Sequence, residues 1–358
     1  MEPAQKGVHP LLCGYYGEHN LGDDALLAAL LAQLPEGCEP IVTAFDQGEV
    51  QQRLGVRTCP RREFKAVRRA LGSCDALVLG GGSLLQDATS FRSLLYYAAL
   101  IVSARLQDKP VLLWGQGLGP LRRRRSRLLV RRLLALVQAS SWRDPQSAAL
   151  AAAWGHGGLL GSDPVWSLTP QPWHGRQGPL VLCWRPTSLL QGEDWKPLLE
   201  ALDAVAAAAD REVIWLPFHR DQDRGLLAQL ASQALLPQRL ALRSREVQVA
   251  TPGEAMAIFS KAGLVLSMRL HGLIVAALAG APLVALSYDP KVSAAATALA
   301  CPCLELDQSK THAALEQWHG LAQTWRLQLD QPPQPLVVER LRRASAVHGD
   351  LLGRWLGR

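Results

Sequence analysis

The chain has 358 residues, enough for two domains of ordinary size, and its 48% apolar and 19% charged residues exclude a disordered polymer. No stretch offers about 18 uninterrupted apolar residues, and the opening MEPAQKGVHPLLCGYYG lacks a signal-peptide layout, so the expectation is a cytoplasmic protein without a transmembrane helix. The formal net charge is +7, and the seven cysteines are scattered without zinc-site spacing, which predicts free thiols and no metal.

Taken in chain order, HPLLCGYYG reads as a strand ending in a glycine turn, and DDALLAALLAQL has helical apolar spacing. EPIVTAF is a second strand, followed by a basic, polar region with a helix near EFKAVRRALGS. DALVLGGGSLL is a strand running into a glycine triplet, and SFRSLLYYAALIVSARLQ is a helix. KPVLLWGQGLGP is a strand and LRRRRSRLLVRRLL a helix. ALVQASSWRDPQS passes from helix through a short strand into a loop. The Pro-, Gly- and Trp-rich stretch 162–180 breaks the pattern. The alternation restarts with PLVLCWRP, a helix over about 193–209, REVIWLPFH, a helix from 221 and a basic connection. GEAMAIFSKAG (helix), LVLSM (strand), HGLIVAALAG (helix), PLVALSYD (strand), KVSAAATALA (helix) and PCLEL (strand) complete it.

Strands alternating with helices imply parallel sheets covered on both faces. The predicted class is α/β, two Rossmann-like parallel-sheet domains facing a cleft in a GT-B-like arrangement. Residues 1–165 form the first domain, 166–180 the linker and 181–358 the second, whose last helix packs back on the first.

Ligands of such sheets gather at the carboxyl ends of the strands, where helix N-termini favour anions. After the first strand, GYYGEHNLGDD packs Tyr15, Tyr16, Gly17, Glu18, His19 and Asn20 into one loop. A tight turn with an N-cap accounts for the glycines and aspartates there, but not for the other polar residues. GGGSLLQD places Gly81, Gly82 and Ser83 where a phosphate-cradling loop would lie, without the Walker lysine. WGQGLGP puts three glycines at the next strand end. SSWRDPQS sets Arg143 just past a strand, either paired on the surface with Asp144 or serving as an anion clamp.

The run LVLSMRLHGLIVAALAG, residues 264–280, carries Arg269 and His271 inside an apolar segment. Buried charge is costly unless paired or facing a cavity, so these residues either have a hidden partner or line a site. SYDPKV places Asp289 and Lys291 at the next strand end. Arg269, His271 and Lys291 are expected to converge, with Arg143 facing them, on a small, highly charged anion.

The motifs GYYGEHNLGDDALL, LGGGSLLQD, SWRDPQS, SMRLHG and SYDPKV, in this order over about residues 10–308, resemble the polysaccharide pyruvyl transferase family, in particular its CsaB-type enzymes. The resemblance implies a GT-B-like fold, phosphoenolpyruvate as donor substrate with no further cofactor, and a sugar acceptor. That acceptor is often ManNAc on a lipid-linked saccharide of cell-wall synthesis. It also implies donor-site and catalytic roles for Arg143, Arg269 and His271, and site roles for Lys291 and Asn20. Asp24 stands where the family more often has Glu.

Seven arginines, Arg122, Arg123, Arg124, Arg125, Arg127, Arg131 and Arg132, fall within eleven residues. They read either as a solvated helix face or as a patch for an anionic surface. The inner face of the cytoplasmic membrane or a lipid diphosphate is preferred over nucleic acid, for want of interleaved aromatics. Two rivals stand beside the pyruvyl reading. One is a nucleotide-sugar glycosyltransferase, for which Glu246 and Glu254 give an E-x7-E spacing, and the other is a non-catalytic membrane-surface protein. The oligomeric state is not legible.

Overall fold

A computed structural model describes residues 7–88, 90–306 and 320–357. The chain divides into two units, Met1–Ser167 with Leu341–Arg358, and Leu168–Arg340. Each is a parallel sheet with helices on both faces, so the predicted α/β class with two Rossmann-like units holds.

The first unit contains β1 (Pro10–Tyr16), β2 (Ile41–Ala44), β3 (Arg57–Pro60), β4 (Ala76–Gly82), β5 (Val111–Gln116), β6 (Ala139–Trp142) and β7 (Leu159–Leu160), in the order β3-β2-β1-β4-β5-β6-β7. Strands β1, β4 and β5 are almost wholly buried, which is why they read as continuous apolar runs rather than alternating ones. The polar region after β2 holds more than the single expected helix. A helix Gln47–Leu54, capped by Asp46, and the short strand β3 precede Phe64–Gly72. Four residues ending in proline at a sheet edge carry too little periodicity to be seen in sequence. DPQS, expected as loop, opens the helix Pro145–Ala153. Asp144 caps it, with Pro145 in the first turn, a placement that suits a residue lacking an N–H. The helix Val347–Leu356 packs on β5, β6 and β7 of this unit. His348 fixes it there, donating through Nε2 to the Ser162 carbonyl (2.7 Å) and accepting through Nδ1 from Ser141 Oγ (2.8 Å).

The second unit contains β8 (Leu180–Cys183), β9 (Val213–Trp215), β10 (Ser244–Glu246), β11 (Leu264–Ser267), β12 (Leu283–Ser287) and β13 (Cys303–Glu305), in the order β10-β9-β8-β11-β12-β13. Its core includes Trp184 packed against Trp195 and Trp215, an aromatic group in which edge-on contacts add to area burial. The helix expected from residue 221 is instead three short ones, Arg220–Asp223, Leu226–Ser232 and Gln238–Arg243. Gly225, at φ +79°, separates the first two.

All seven cysteines are free. Burial pushes the Cys13 thiol up to about 11, a core residue rather than a reactive one. Among the described residues no helix is long and apolar enough to cross a membrane.

Candidate functional site

In open parallel sheets the strand order reverses at one point, and ligands favour the crevice there. In the first unit the reversal lies between β1 and β4, and Tyr16 fills it. The ring is buried and its hydroxyl donates to the Gly80 carbonyl at 2.9 Å, while desolvation drives its pKa well up. Tyr16, one of the residues of the first loop singled out in the sequence, is thus part of the core of this unit.

The other polar residues of GYYGEHN also have partners within the unit. The guanidinium of Arg61 lies over the Tyr15 ring at 4.2 Å, and Glu18 pairs with Arg61 and Arg62. His19 meets Glu49 at 2.8 Å through Nδ1. Asn20 caps the helix Leu21–Ala32 by accepting from the Gly22 amide. Gly17 has φ +67°, and a Cβ there would stand 3.0 Å from the Asp46 amide, so its need is conformational. The sequence crowds these residues because β1, β2 and the polar region after β2 meet at this corner. His19, Asp46 and Glu49 also form a cluster whose ligand atoms lie within 4.8 Å of one another. Glu49, however, is shared with Arg53, and Asp46 is a helix cap.

Arg143 is nearly buried. It donates through Nη1 to Asp163 Oδ2 (3.0 Å) and through Nη2 to Ser83 Oγ (3.2 Å). Its partner is thus Asp163, twenty residues on, and not Asp144, whose carboxylate holds the Ser147 amide and hydroxyl. A Cβ on Gly117 would stand 2.6 Å from Ser83 Oγ and 3.0 Å from Arg143 Nε, so this glycine makes the room for the Ser83–Arg143 contact. The carbonyls of Leu79 and Gly81 accept from Gln116 Nε2, and the Gly82 carbonyl accepts from the Gly117 amide. Gly81 and Gly82 both have positive φ. The carbonyls of Gly81 and Gly82 thus tie the turn to the neighbouring strand end.

In the second unit the reversal lies between β8 and β11, and here the chemistry gathers. Arg185 follows β8, and Arg269 and His271 follow β11. Ser267, the last residue of β11, both donates to the Arg269 carbonyl (2.9 Å) and accepts from the Arg269 amide (3.1 Å), fixing the joint. Ser287, last in β12, likewise donates to the Asp289 carbonyl at 2.9 Å. Asp289 caps the helix Pro290–Leu299 by accepting from the Lys291 amide. His271 and Lys291 are thus each the second residue of their helices, Leu270–Leu278 and Pro290–Leu299, which pack side by side.

The hidden partner of Arg269 is Asp223. Arg269 Nε donates to Asp223 Oδ2 at 3.0 Å, Nη2 donates to Oδ1, and Nη2 also reaches Gln222 Oε1 at 3.2 Å. The same carboxylate accepts the Phe218 and His219 amides (3.1 and 2.8 Å). His219, buried at the start of the helix Arg220–Asp223, is pushed below its ordinary pKa, first by desolvation and then by the charge of Arg269. Arg185 Nη1 donates to the Tyr288 hydroxyl at 3.1 Å and stacks over that ring. Among the described residues Arg185 forms no ion pair.

Sequence reasoning missed Asp163, Asp223, His219 and Arg185. Of these only Arg185 had a usable signal, a cation immediately after the strand PLVLCW. Glu246 and Glu254 are structural: Glu246 accepts the Gly225 amide and Glu254 that of Ala250.

No curated protein matches the chain at a significant level. Among solved structures, the UDP-GlcNAc 2-epimerase from Methanocaldococcus jannaschii is similar at 9% identity, over 97% of this chain and 99% of that one, with a TM-score of 0.61. Anabaena Alr3699/HepE in complex with UDP-glucose matches at 11% identity over 97% and 99%, TM-score 0.59. The UDP-GlcNAc 2-epimerase from Neisseria meningitidis bound to UDP-GlcNAc matches at 11% over 96% and 100%, TM-score 0.57. At such identities the likeness is one of fold, a GT-B-like chain of two parallel-sheet units. The family model for polysaccharide pyruvyl transferase matches residues 20–290, which contain Arg143, Arg269, His271 and Asp289. The chain belongs to the polysaccharide pyruvyl transferase family.

Proposed function

We propose that the chain transfers the pyruvyl group of phosphoenolpyruvate onto two hydroxyls of one sugar, as CsaB-type enzymes do. The sugar is ManNAc in a lipid-linked cell-wall precursor. The observation that carries this reading is the set of basic side chains around the β8/β11 reversal: Arg185, Arg269, His271 and Lys291, in a chain of this family. Phosphoenolpyruvate carries a carboxylate and a phosphate, and cations fixed at strand ends suit both.

Protonation of C3 turns C2 into an oxocarbenium electrophile. The first hydroxyl adds there and gives up its proton. Phosphate then leaves, C2 becomes electrophilic again, and the second hydroxyl closes the ketal with loss of its proton. In this reading His271 is the proton-transfer group, since an imidazole gives and takes protons near neutrality. Arg185 and Lys291 hold the donor anion. Arg269, anchored through Nε and Nη2, offers Nη1 to the developing charge. In the first unit, Arg143 is the anion-binding group, oriented by Asp163 and Ser83.

Phosphate release from phosphoenolpyruvate, measured with lipid-linked ManNAc, glucose and galactose acceptors, tests the proposal. His271→Ala is expected to slow it by about 10²–10⁴-fold at saturating donor. An unchanged rate in that variant refutes the assignment, and UDP release from UDP-sugars in place of phosphate release favours a glycosyltransferase.

A further inference from the structure

Three helices, Phe64–Gly72, Phe91–Arg105 and Arg124–Leu134, are the successive crossovers β3→β4, β4→β5 and β5→β6. Right-handed crossovers in one direction lay them side by side on one face of the first sheet. A helix covering a sheet ordinarily turns a polar stripe outward. The middle helix does not. Its outer stripe is Arg92, Leu95, Ala99 and Val102, continued by Leu106, at spacings of three and four residues. Leu95, Val102 and Leu106 are 45%, 40% and 81% exposed, and Leu128 on the next helix is 51% exposed.

Basic residues flank the stripe on both sides. Lys65, Arg68 and Arg69 are exposed on one neighbouring helix, and Arg122, Arg123, Arg124, Arg125, Arg127, Arg131 and Arg132 lie on or just before the other. The guanidinium groups of Arg123 and Arg125 lie over the half-buried Phe91 ring at 5.6 and 4.2 Å. From Ser90 to Trp142 the sequence has one carboxylate, Asp108, beyond the end of the middle helix. None of the seven clustered arginines forms an ion pair among the described residues. The acid beside them, Asp87, accepts the amides of Arg122 and Arg123 at 2.7 and 2.9 Å. Burial opposes its ionisation, but these bonds, that to Arg122 foremost, outweigh it and hold the carboxyl at about 2.

This arrangement works against stability. Four consecutive arginines stand at the positive end of a helix with no acid in its first turn, and Arg124, Arg127 and Arg131 repel one another at helical spacing. A face that only needed solvation would mix its signs.

We propose that this face docks on an anionic phospholipid bilayer. Leu95, Val102, Leu106 and Leu128 enter the headgroup–acyl boundary, and the arginines lie on lipid phosphates, which the guanidinium fork matches. An apolar strip between two basic borders complements a surface that is charged at its rim and greasy beneath. A nucleic acid has no use for the strip, and the Phe91 ring beside it is already covered by Arg123 and Arg125 rather than offered for base stacking. The inference is independent of the reaction proposed above.

The test is co-sedimentation of the full chain with vesicles of phosphatidylcholine alone and with about 30 mol% phosphatidylglycerol, over a salt series. Wild type is expected to bind the anionic vesicles at least about tenfold more tightly, with affinity falling as salt rises. Arg124→Gln/Arg127→Gln/Arg131→Gln is expected to lose about fivefold per arginine and flatten the salt dependence. Leu95→Ser/Val102→Ser/Leu106→Ser is expected to lose about tenfold or more with the salt slope unchanged. Should the serine variant not fold, Leu106→Cys in a chain whose Cys38, Cys301 and Cys303 are replaced by Ser, carrying an environment-sensitive dye, gives the second readout, a blue shift on anionic vesicles. Equal binding to both vesicle types, or none, overturns the proposal. So does a serine variant that binds anionic vesicles like wild type while duplex DNA competes, which marks a polyanion patch instead.

Discussion

Asp223 gives the sharpest test of how the second unit holds its site. Its side chain is 0% exposed and that of Arg269 13%. Three donors converge on one oxygen, Oδ2: the amides of Phe218 and His219 and Nε of Arg269. A single donor, Nη2 of Arg269, meets Oδ1. Asp223→Asn can keep its carbonyl oxygen facing the three donors. Its NH₂ then faces Nη2, donor against donor, and the buried guanidinium loses its countercharge. One charge-assisted hydrogen bond is worth about 1.5–3 kcal/mol, which sets a cost of about 2–3 kcal/mol for Asn. Asp223→Ala removes every acceptor and costs about 3–5 kcal/mol, the range for breaking a buried pair.

A two-unit chain need not unfold in one step, so a global transition is the wrong readout. Urea-dependent hydrogen exchange on peptides covering Leu180–Cys183 and Leu264–Ser267 reports the second unit alone. Arg269→Gln and the double variant complete a cycle, with an expected coupling of about 1.5 kcal/mol or more. A cost for Asp223→Asn below about 0.5 kcal/mol, or strict additivity in the cycle, refutes the claim that this carboxylate fixes Arg269.

Two further predictions concern the first unit. His348 is fully buried, and desolvation lowers its pKa below 6.5. The carbonyl of Ser162 can only accept, so the ring proton sits on Nε2 and Nδ1 accepts from Ser141. The unfolded chain binds this proton at higher pH than the fold does, so stability is full above 6.5 and falls as pH drops through it, by up to about 1.4 kcal/mol per unit. His348→Gln should show a shallower fall in first-unit stability between pH 7.5 and 5.5, read by urea-dependent hydrogen exchange on peptides covering Val111–Gln116. A stability gap between variant and wild type that does not change with pH sinks the assignment. At Gly115, φ is +57° and a Cβ would stand 2.1 Å from the Pro164 ring. Gly115→Ala should cost about 3 kcal/mol in the same exchange measurement on first-unit peptides, and a cost under about 0.5 kcal/mol contradicts the geometry.

What the sequence showed and what it hid follow from distance along the chain. Buried parallel strands announce themselves as apolar runs, and the residue just past each run stands at the ligand-binding edge. Arg143, Arg269, His271 and Lys291 were found by that rule alone. Their partners were not, because the fold brings them from elsewhere: Asp163 from beyond β7, and Asp223 from a four-residue helix after β9. The same limit misled the reading of GYYGEHN. Its polar residues looked surplus to a turn until Arg61, Arg62 and Glu49, thirty to forty-four residues away, were seen to meet them. Short edge elements such as β3 and β7 were invisible because two to four residues cannot establish a period.

Both units use one device at their strand ends. An arginine leaves the carboxyl edge of the sheet, and a buried aspartate from a distant connection takes part of its guanidinium. A neutral oxygen takes another part: Ser83 Oγ for Arg143, Gln222 Oε1 for Arg269. Such pairs are poor sources of stability, since the desolvation of two charges offsets most of their attraction. They do fix direction. A guanidinium held on two sides cannot swing toward its own backbone or solvent, and its remaining N–H bonds point one way before any ligand arrives. The aspartates also offset the charge of the arginines, so these edges present fixed N–H directions more than net positive charge. The donor proposed above, with a planar carboxylate and a tetrahedral phosphate, suits that arrangement, because each group demands its own angle of approach.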